Sequence, residues 1–196
     1  AAIEKYNEEK CSGARAMQMV YSSKELQQVV DEKDGPVAFI HSVEGSHSLH
    51  GEKCGKKIED CLADNPSVLN EMLDNLETLY NRGCAYLTLA HFYPNHVAFP
   101  IFPYPEWSVP KKKWKEMYGR WDMNLGLNKN GEEIVRKMLD LGMLIDITHC
   151  TPNGRKQVYD IVDEVGANEC LLATHIGAYE INRDPMNLED WEIKWF

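Results

Sequence analysis

No apolar run in this chain approaches the roughly 20 residues that cross a bilayer, so no transmembrane helix is expected. Positive charge is in deficit: 21 Lys and Arg stand against 31 Asp and Glu, a formal net charge of −10. That balance argues against a nucleic-acid groove or an anionic membrane surface as partner. None of the six cysteines forms a CxxC pair, so a thioredoxin-type motif is excluded. No glycine-rich phosphate loop follows any predicted strand, which weakens a nucleotide-binding sheet. No signal peptide opens the chain, because Glu4, Lys5, Glu8, Glu9 and Lys10 interrupt the first turns. On a fragment this excludes no compartment, and cytoplasmic and periplasmic or extracellular locations both stay open.

The composition is that of a globular protein, 43% hydrophobic and 27% charged over 196 residues, enough for one domain or part of a larger one. Two short apolar runs stop at Thr-His: Gly142 to His149 and Cys170 to His175. One helix-length segment, Thr151 to Gly166, separates them. Strand, helix, strand in that order is a βαβ unit with parallel neighbours. Earlier in the chain, Ala16 to Tyr21 reads as a short strand. Ser22 to Asp34 reads as a helix, opened by a Ser22–Glu25 capping box and with Leu26, Val29 and Val30 on its apolar face. Val37 to Val43 is a continuous apolar run, expected as a buried strand that delivers Glu44. Asn65-Pro66 starts a helix through Tyr80, and Cys84 to Ala90 forms a strand that delivers His91. Asn130 to Leu141 is the next helix. In the helix after Thr151-Pro152, Val158, Ile161, Val162 and Val165 are expected to face the sheet.

Two stretches interrupt the βα pattern. Gly51 to Asp64 is a charged insertion, expected to be solvated. Cys54 and Cys61 within it read as unpaired surface thiols, with a bridge between them as the alternative in an oxidising compartment. Phe92 to Leu127 is a long connection expected to fold over the strand ends, packed down by Trp107, Trp114 and Trp121.

Four of the five predicted strands, from Val37 onward, end at Glu44, His91, His149 and His175. A single strand-end histidine is more often a hydrogen-bonded core residue than a ligand, but four polar endings in succession are hard to assign to packing. Strict alternation puts Ile145, Ile147 and His149 on one face, and Leu87, Leu89 and His91 likewise. By that parity Asp146 faces the helices in a buried hydrogen-bonding role, unless the strand end is distorted. A carboxylate and two imidazoles suit Zn2+, and the ion lowers the pKa of a bound water so that hydroxide attacks a carbonyl. For Glu44 a helix-capping or ion-pair role is the alternative. His91 fits a ligand, a substrate contact or a loop anchor. His47 and His50 are candidates to support the ligands, His47 the better one, and His41 and His96 read as incidental. Polar strand ends all on one side favour a (β/α)8 barrel over a doubly wound sheet.

At these residues the sequence resembles the renal (membrane) dipeptidase family of the amidohydrolase superfamily. The stretches that carry the likeness are Val43-Glu44-Gly45-Ser46-His47-Ser48, Tyr86 to His91, Gly142 to His149, and Thr174-His175. The resemblance implies a (β/α)8 TIM barrel holding two zinc ions and hydrolysing dipeptides. By it, Glu44 bridges the ions and His149 and His175 bind the second one, while His91 stabilises the oxyanion on the substrate carbonyl.

Three departures accompany the likeness. No His-x-Asp, the family's first-metal motif, occurs anywhere in the chain. The family's last-strand aspartate has no counterpart before Phe196. Where the family carries a carboxylate-gripping arginine before an asparagine, this chain reads Pro185-Met186-Asn187, leaving Arg183 as the nearby substitute for substrate binding. Residues 1–196 are therefore read as part of a single (β/α)8 domain, about strands three to six, with barrel strands missing at both ends. The chain alone is expected to hold at most the second ion and not to catalyse. The expected partner is a small peptide, with room for a homo-oligomer. Met186 keeps open a related hydrolase of another amide, ester or lactone, and the missing motifs keep open a non-catalytic barrel.

Overall fold

The computed structural model describes residues 2–10, 12–50, 61, 65–101, 109–118, 122–168 and 170–196. In chain order the elements are α1 (Ala2–Glu9), β1 (Met17–Met19), α2 (Ser23–Asp31), β2 (Val37–Phe39) and β3 (His41–Glu44). A 3-10 turn (Ser46–Leu49) follows, then α3 (Pro66–Asn81), β4 (Cys84–Thr88), α4 (Lys111–Tyr118) and α5 (Lys129–Leu141). The chain continues with β5 (Leu144–Asp146), α6 (Pro152–Val165), β6 (Leu171–Leu172) and α7 (Asp190–Trp195). All strand pairs are parallel: β1 with β2, and β3-β4-β5-β6 in sequence order. Consecutive parallel neighbours joined by helices are the local signature of a singly wound α/β sheet.

Helix starts follow the local chemistry of the chain. Asn65 Oδ1 accepts from the amides of Ser67 and Val68, and Pro66 occupies the first turn, where its missing N–H costs nothing. Thr151 Oγ1 accepts from Gly154 N at 3.0 Å. The helix expected from Asn130 starts one residue earlier, because Asn128 is its cap, accepting from Gly131 N at 2.8 Å. At α2, Ser22 Oγ caps Glu25 N, but the Glu25 carboxylate returns to Tyr21 N rather than to Ser22, so the capping box is displaced by one residue.

The strands differ from expectation in length and cover. Val37 to Val43 is not one buried strand. It breaks at Ile40, and the halves pair with different neighbours, Val37 with Met17 and Ser42 with Tyr86. Val37, Phe39 and Ile40 are 44–48% exposed, since among the described residues no further layer covers that face. Val30 and Val165 are likewise outside the core. β5 ladders only as far as Asp146, although Met143 and Ile147 on either side of it are buried.

The core lies between the sheet and α3, α5 and α6. Val43, Leu87, Ile145 and Leu171 form one row in register across the four strands. Leu87 and Ile145 are fully buried among Met72, Leu76, Ile134, Val135, Met138, Val158 and Val162. Each such side chain contributes about 1.5–3 kcal/mol on burial. Alternation sends the next row, Glu44, Thr88, Asp146 and Leu172, to the other face, away from the helices.

The long connection lies over the end of β5, as expected. Ala98 bridges Leu127, Pro100 bridges Cys150, and Ile101 N donates to His149 O at 2.8 Å. Trp114 anchors it, fully buried and edge-on to Phe99 at 6.0 Å. Trp107, Trp121 and, apart from Cys61, the Gly51 to Asp64 insertion lie outside the described residues. Cys61 corrects the thiol reading: it is buried and disulfide-bonded. Among the described helices none is long and apolar enough to cross a membrane.

The C-terminal segment is fastened by a buried ion pair. Arg155 Nε and Nη2 donate to Glu192 Oε1 and Oε2 at 2.7 and 2.9 Å, and Tyr159 OH donates to Oε1 at 2.9 Å. Arg155 also donates to the carbonyls of Cys150 and Asn187. Both side chains of the pair are at least 98% buried, so removing one partner strands a charge, at a cost of about 3–5 kcal/mol. Arg155→Met is expected to lower unfolding free energy by that amount in urea titrations. The double variant Arg155→Met, Glu192→Leu should recover most of it. A loss below about 1 kcal/mol, typical of a surface pair, would contradict the assignment.

Candidate metal centre

Glu44 is the last residue of β3, and its in-register neighbour is Thr88 at the end of β4. Gly45 follows at φ 99°, a backbone state that side chains rarely adopt. A Cβ there would meet the His47 ring at 2.4 Å and His91 Cβ at 3.0 Å. This glycine therefore lets the chain turn under two imidazoles.

His91 stands three residues past β4, stacked on Phe92 at 4.0 Å and near-parallel to His47 at 6.0 Å. His149 stands three residues past β5 and has φ 66°. His175 stands three residues past β6, with its Nδ1 2.9 Å from Thr174 Oγ1.

These four side chains meet. Glu44 Oε1 lies 3.4 Å from His91 Nε2, 3.5 Å from His149 Nε2 and 3.4 Å from His175 Nε2. The Nε2 atoms of His149 and His175 are 3.0 Å apart. Glu44, His149 and His175 each offer one donor atom within 4.8 Å of the others. Two imidazole nitrogens face to face beside a carboxylate oxygen need a proton or a cation between them. The donors are borderline nitrogen and hard oxygen, the set that suits a divalent ion such as zinc. Burial lowers the pKa of His149, with His91 and His175 adding to the shift and Glu44 opposing it. The ring is thus biased to the neutral form that a metal requires. The neighbouring Cys150 is no rival ligand at neutral pH, because burial pushes its thiol up to about 12.

Strict alternation is not what assembles the cluster. Ile145 and Leu87 face the helices, so continued strands would have aimed His149 and His91 there too. The chain leaves the extended state first, at the bend after Thr88 and at the left-handed turn of His149, and these turns swing the rings toward Glu44. Asp146 is correspondingly corrected. It is buried and hydrogen-bonded as expected, but it belongs to the Glu44 row and not to the helix-facing row.

Other candidates fall elsewhere. Arg183 is three-quarters exposed and pairs with Glu180 at 3.4 Å, not with the cluster. His50 pairs with Glu71 at 3.3 Å and packs edge-on against His96, leaving His47 as the one beside the site. His41 is exposed. Phe92 and the threonines around Asp146 are not among the site residues expected from the sequence. The Thr-His repeat holds the signal for two of those threonines, Thr148 and Thr174.

Residues 62–195 match the family model for membrane dipeptidase, peptidase family M19. The chain belongs to that family. A stretch of 125 residues is 32% identical to an uncharacterized dipeptidase of Schizosaccharomyces pombe, covering 64% of this chain and 22% of the yeast protein. The crystal structure of the probable dipeptidase PvdM from Pseudomonas aeruginosa superposes over 99% of this chain and 38% of its own, with TM-score 0.64 and 17% identity. A metallo peptidase from Rhodobacter sphaeroides, solved with a phosphinate mimic of the dipeptide L-Ala-D-Ala, covers 91% of this chain and 40% of its own, with TM-score 0.63 and 16% identity. At such identities the likeness is one of fold: α/β, with the parallel strands of the (β/α)8 dipeptidases. The chain spans about two-fifths of the length of these two structures.

A pH dependence follows from three partly desolvated rings, His47, His96 and His149. His47 and His96, like His149, are held below the ordinary histidine value, chiefly by burial. The unfolded chain takes up protons near about 6.5, while the native rings stay neutral to lower pH. The unfolded state then binds more protons, so metal-free stability falls as pH drops below about 6.5. Thermal unfolding of the metal-free protein at pH 7.5 and 5.5 checks this. A melting temperature that rises on acidification would contradict it.

Proposed function

We propose that the protein is a zinc-dependent dipeptidase, with Glu44, His149 and His175 holding a Zn2+ ion and His91 binding the scissile carbonyl. The observation that carries this is the convergence of three Nε2 atoms on Glu44 Oε1 within 3.5 Å. Membership of the dipeptidase family supports the substrate class. When bound, the ion supplies Lewis acidity and makes a water acidic enough to yield hydroxide near neutral pH.

The chain's own residues do the rest. The second oxygen of the Glu44 carboxylate would be the group that holds the family's other ion. His91, whose Nε2 is directed into the cluster, would donate from it to the carbonyl oxygen of the substrate. As that oxygen gains charge the bond strengthens, so His91 favours the transition state over the ground state. Phe92 against its face keeps the ring in plane and shields one side from water.

In this reading residues 1–196 are part of a single (β/α)8 domain whose remaining strands supply the first ion's ligands. The share of the solved structures that the chain spans supports this. A second reading, a related metal-dependent hydrolase of another amide, an ester or a lactone, is favoured by Arg183. Its pairing with Glu180, and Met186 in the family's arginine position, leave a substrate carboxylate without an evident cation among the described residues.

Metal analysis and kinetics on the intact protein test the proposal. His149→Ala combined with His175→Ala should lose bound zinc. His91→Ala should keep it while kcat falls about 10²–10³-fold, the usual cost of one oxyanion donor. Unchanged zinc in the double variant would contradict the metal assignment. Faster turnover of esters or lactones than of any dipeptide would favour the second reading.

A further inference from the structure

Asp146 is fully buried and sits just behind the candidate ligands. Every group that meets its oxygens is a donor. Thr88 Oγ1 and Thr174 Oγ1 donate to Oδ2 at 2.7 and 2.8 Å. Thr148 donates to Oδ1 from its hydroxyl at 2.7 Å and its amide at 3.2 Å, and Thr174 N adds a bond at 3.3 Å. The carboxylate thus ties the ends of β4, β5 and β6 together by accepting only.

Counting protons extends this to the imidazole. A threonine hydroxyl has one proton. Thr174 gives it to Asp146, because a 2.8 Å bond to a carboxylate outweighs donation to a neutral imidazole nitrogen at 2.9 Å or to the Thr148 hydroxyl at 3.3 Å. Thr174 Oγ1 then has only lone pairs to offer His175 Nδ1, 2.9 Å away. That contact is a hydrogen bond only if Nδ1 carries the proton. A neutral ring has one such proton, so Nε2 is left bare, and Nε2 is the atom beside Glu44 and His149.

We infer that Asp146 and Thr174 are positioning residues that lock His175 in its Nδ1–H tautomer and aim its Nε2 lone pair into the cluster. The inference rests on the metal reading above for its purpose, but not for its geometry. His149 shows no equivalent device: its Nδ1 is buried without a hydrogen-bond partner among the described residues, and its ring is placed by the left-handed turn. Tautomer control therefore resides in one of the two Thr-His pairs. Thr148 serves Asp146 and Thr174, while Thr174 serves both Asp146 and the adjacent ring.

Nitrogen-15 NMR of the intact, metal-free protein reads the tautomer directly. His175 should show a protonated Nδ1 and a bare Nε2. Thr174→Val removes the acceptor with little change of shape, and should shift His175 toward the Nε2–H form. Zinc affinity, measured against a chelator, should fall about 10–100-fold, as when the partner of a ligating histidine is lost. Thr174→Ser should restore both. Asp146→Asn, which keeps the hydroxyl but removes its charged acceptor, should shift the tautomer in the same sense. A wild-type His175 carrying its proton on Nε2 would overturn the inference, as would an unchanged tautomer in Thr174→Val. A wild type with the Nδ1–H tautomer but no zinc affinity would uphold the lock and overturn the metal reading instead.

Discussion

One oxygen atom, Glu44 Oε1, has three imidazole nitrogens within 3.5 Å. Bare lone pairs repel at that range, so the arrangement persists only with protons or a cation among the rings. The register of the parallel sheet makes the crowding unavoidable. Strand ends about 4.8 Å apart carry Glu44, Thr88 and Asp146 side by side, and three-residue turns bring the histidines back over them. Each turn has its own device: the glycine at φ 99°, the long loop anchored by Trp114, the left-handed His149, and the hydroxyl of Thr174.

The surroundings keep those turns from relaxing. Ile101 N holds the His149 carbonyl and Arg155 holds the Cys150 carbonyl, so the left-handed turn is gripped from both sides. Through Glu192 the same arginine fixes the C-terminal helix, and through the Asn187 carbonyl it fixes the loop after His175. Packing beneath the sheet and polar fastening above it therefore act on the same few residues. Under the proposed function, that rigidity fits a site preorganised for charge that develops during reaction.

Much of this was legible in the sequence, for local reasons. Asn65-Pro66 and Thr151-Pro152 announce helix starts because the capping oxygen and the missing proline N–H act within one turn. The order of polar strand ends pointed to Glu44, His91, His149 and His175, and the structure brings those four together. Strand extent was not legible, because an apolar run reports burial and not pairing: Ile147 is buried outside the ladder, and Phe39 is paired but exposed. Parity failed where one backbone angle ended the alternation, and Thr-His carries no mark of that angle. Arg155 was invisible for another reason. On a helix after Gly154 it reads as a surface charge until Glu192, 37 residues later, folds against it.

The central claim is that a divalent cation sits where these groups converge. Anomalous diffraction at the zinc edge, on crystals of the intact protein, tests it most directly. The account predicts a peak about 2.0–2.2 Å from a Glu44 oxygen and from Nε2 of both His149 and His175. A fully loaded protein whose zinc lies elsewhere, or is bound without these two imidazoles, would contradict it.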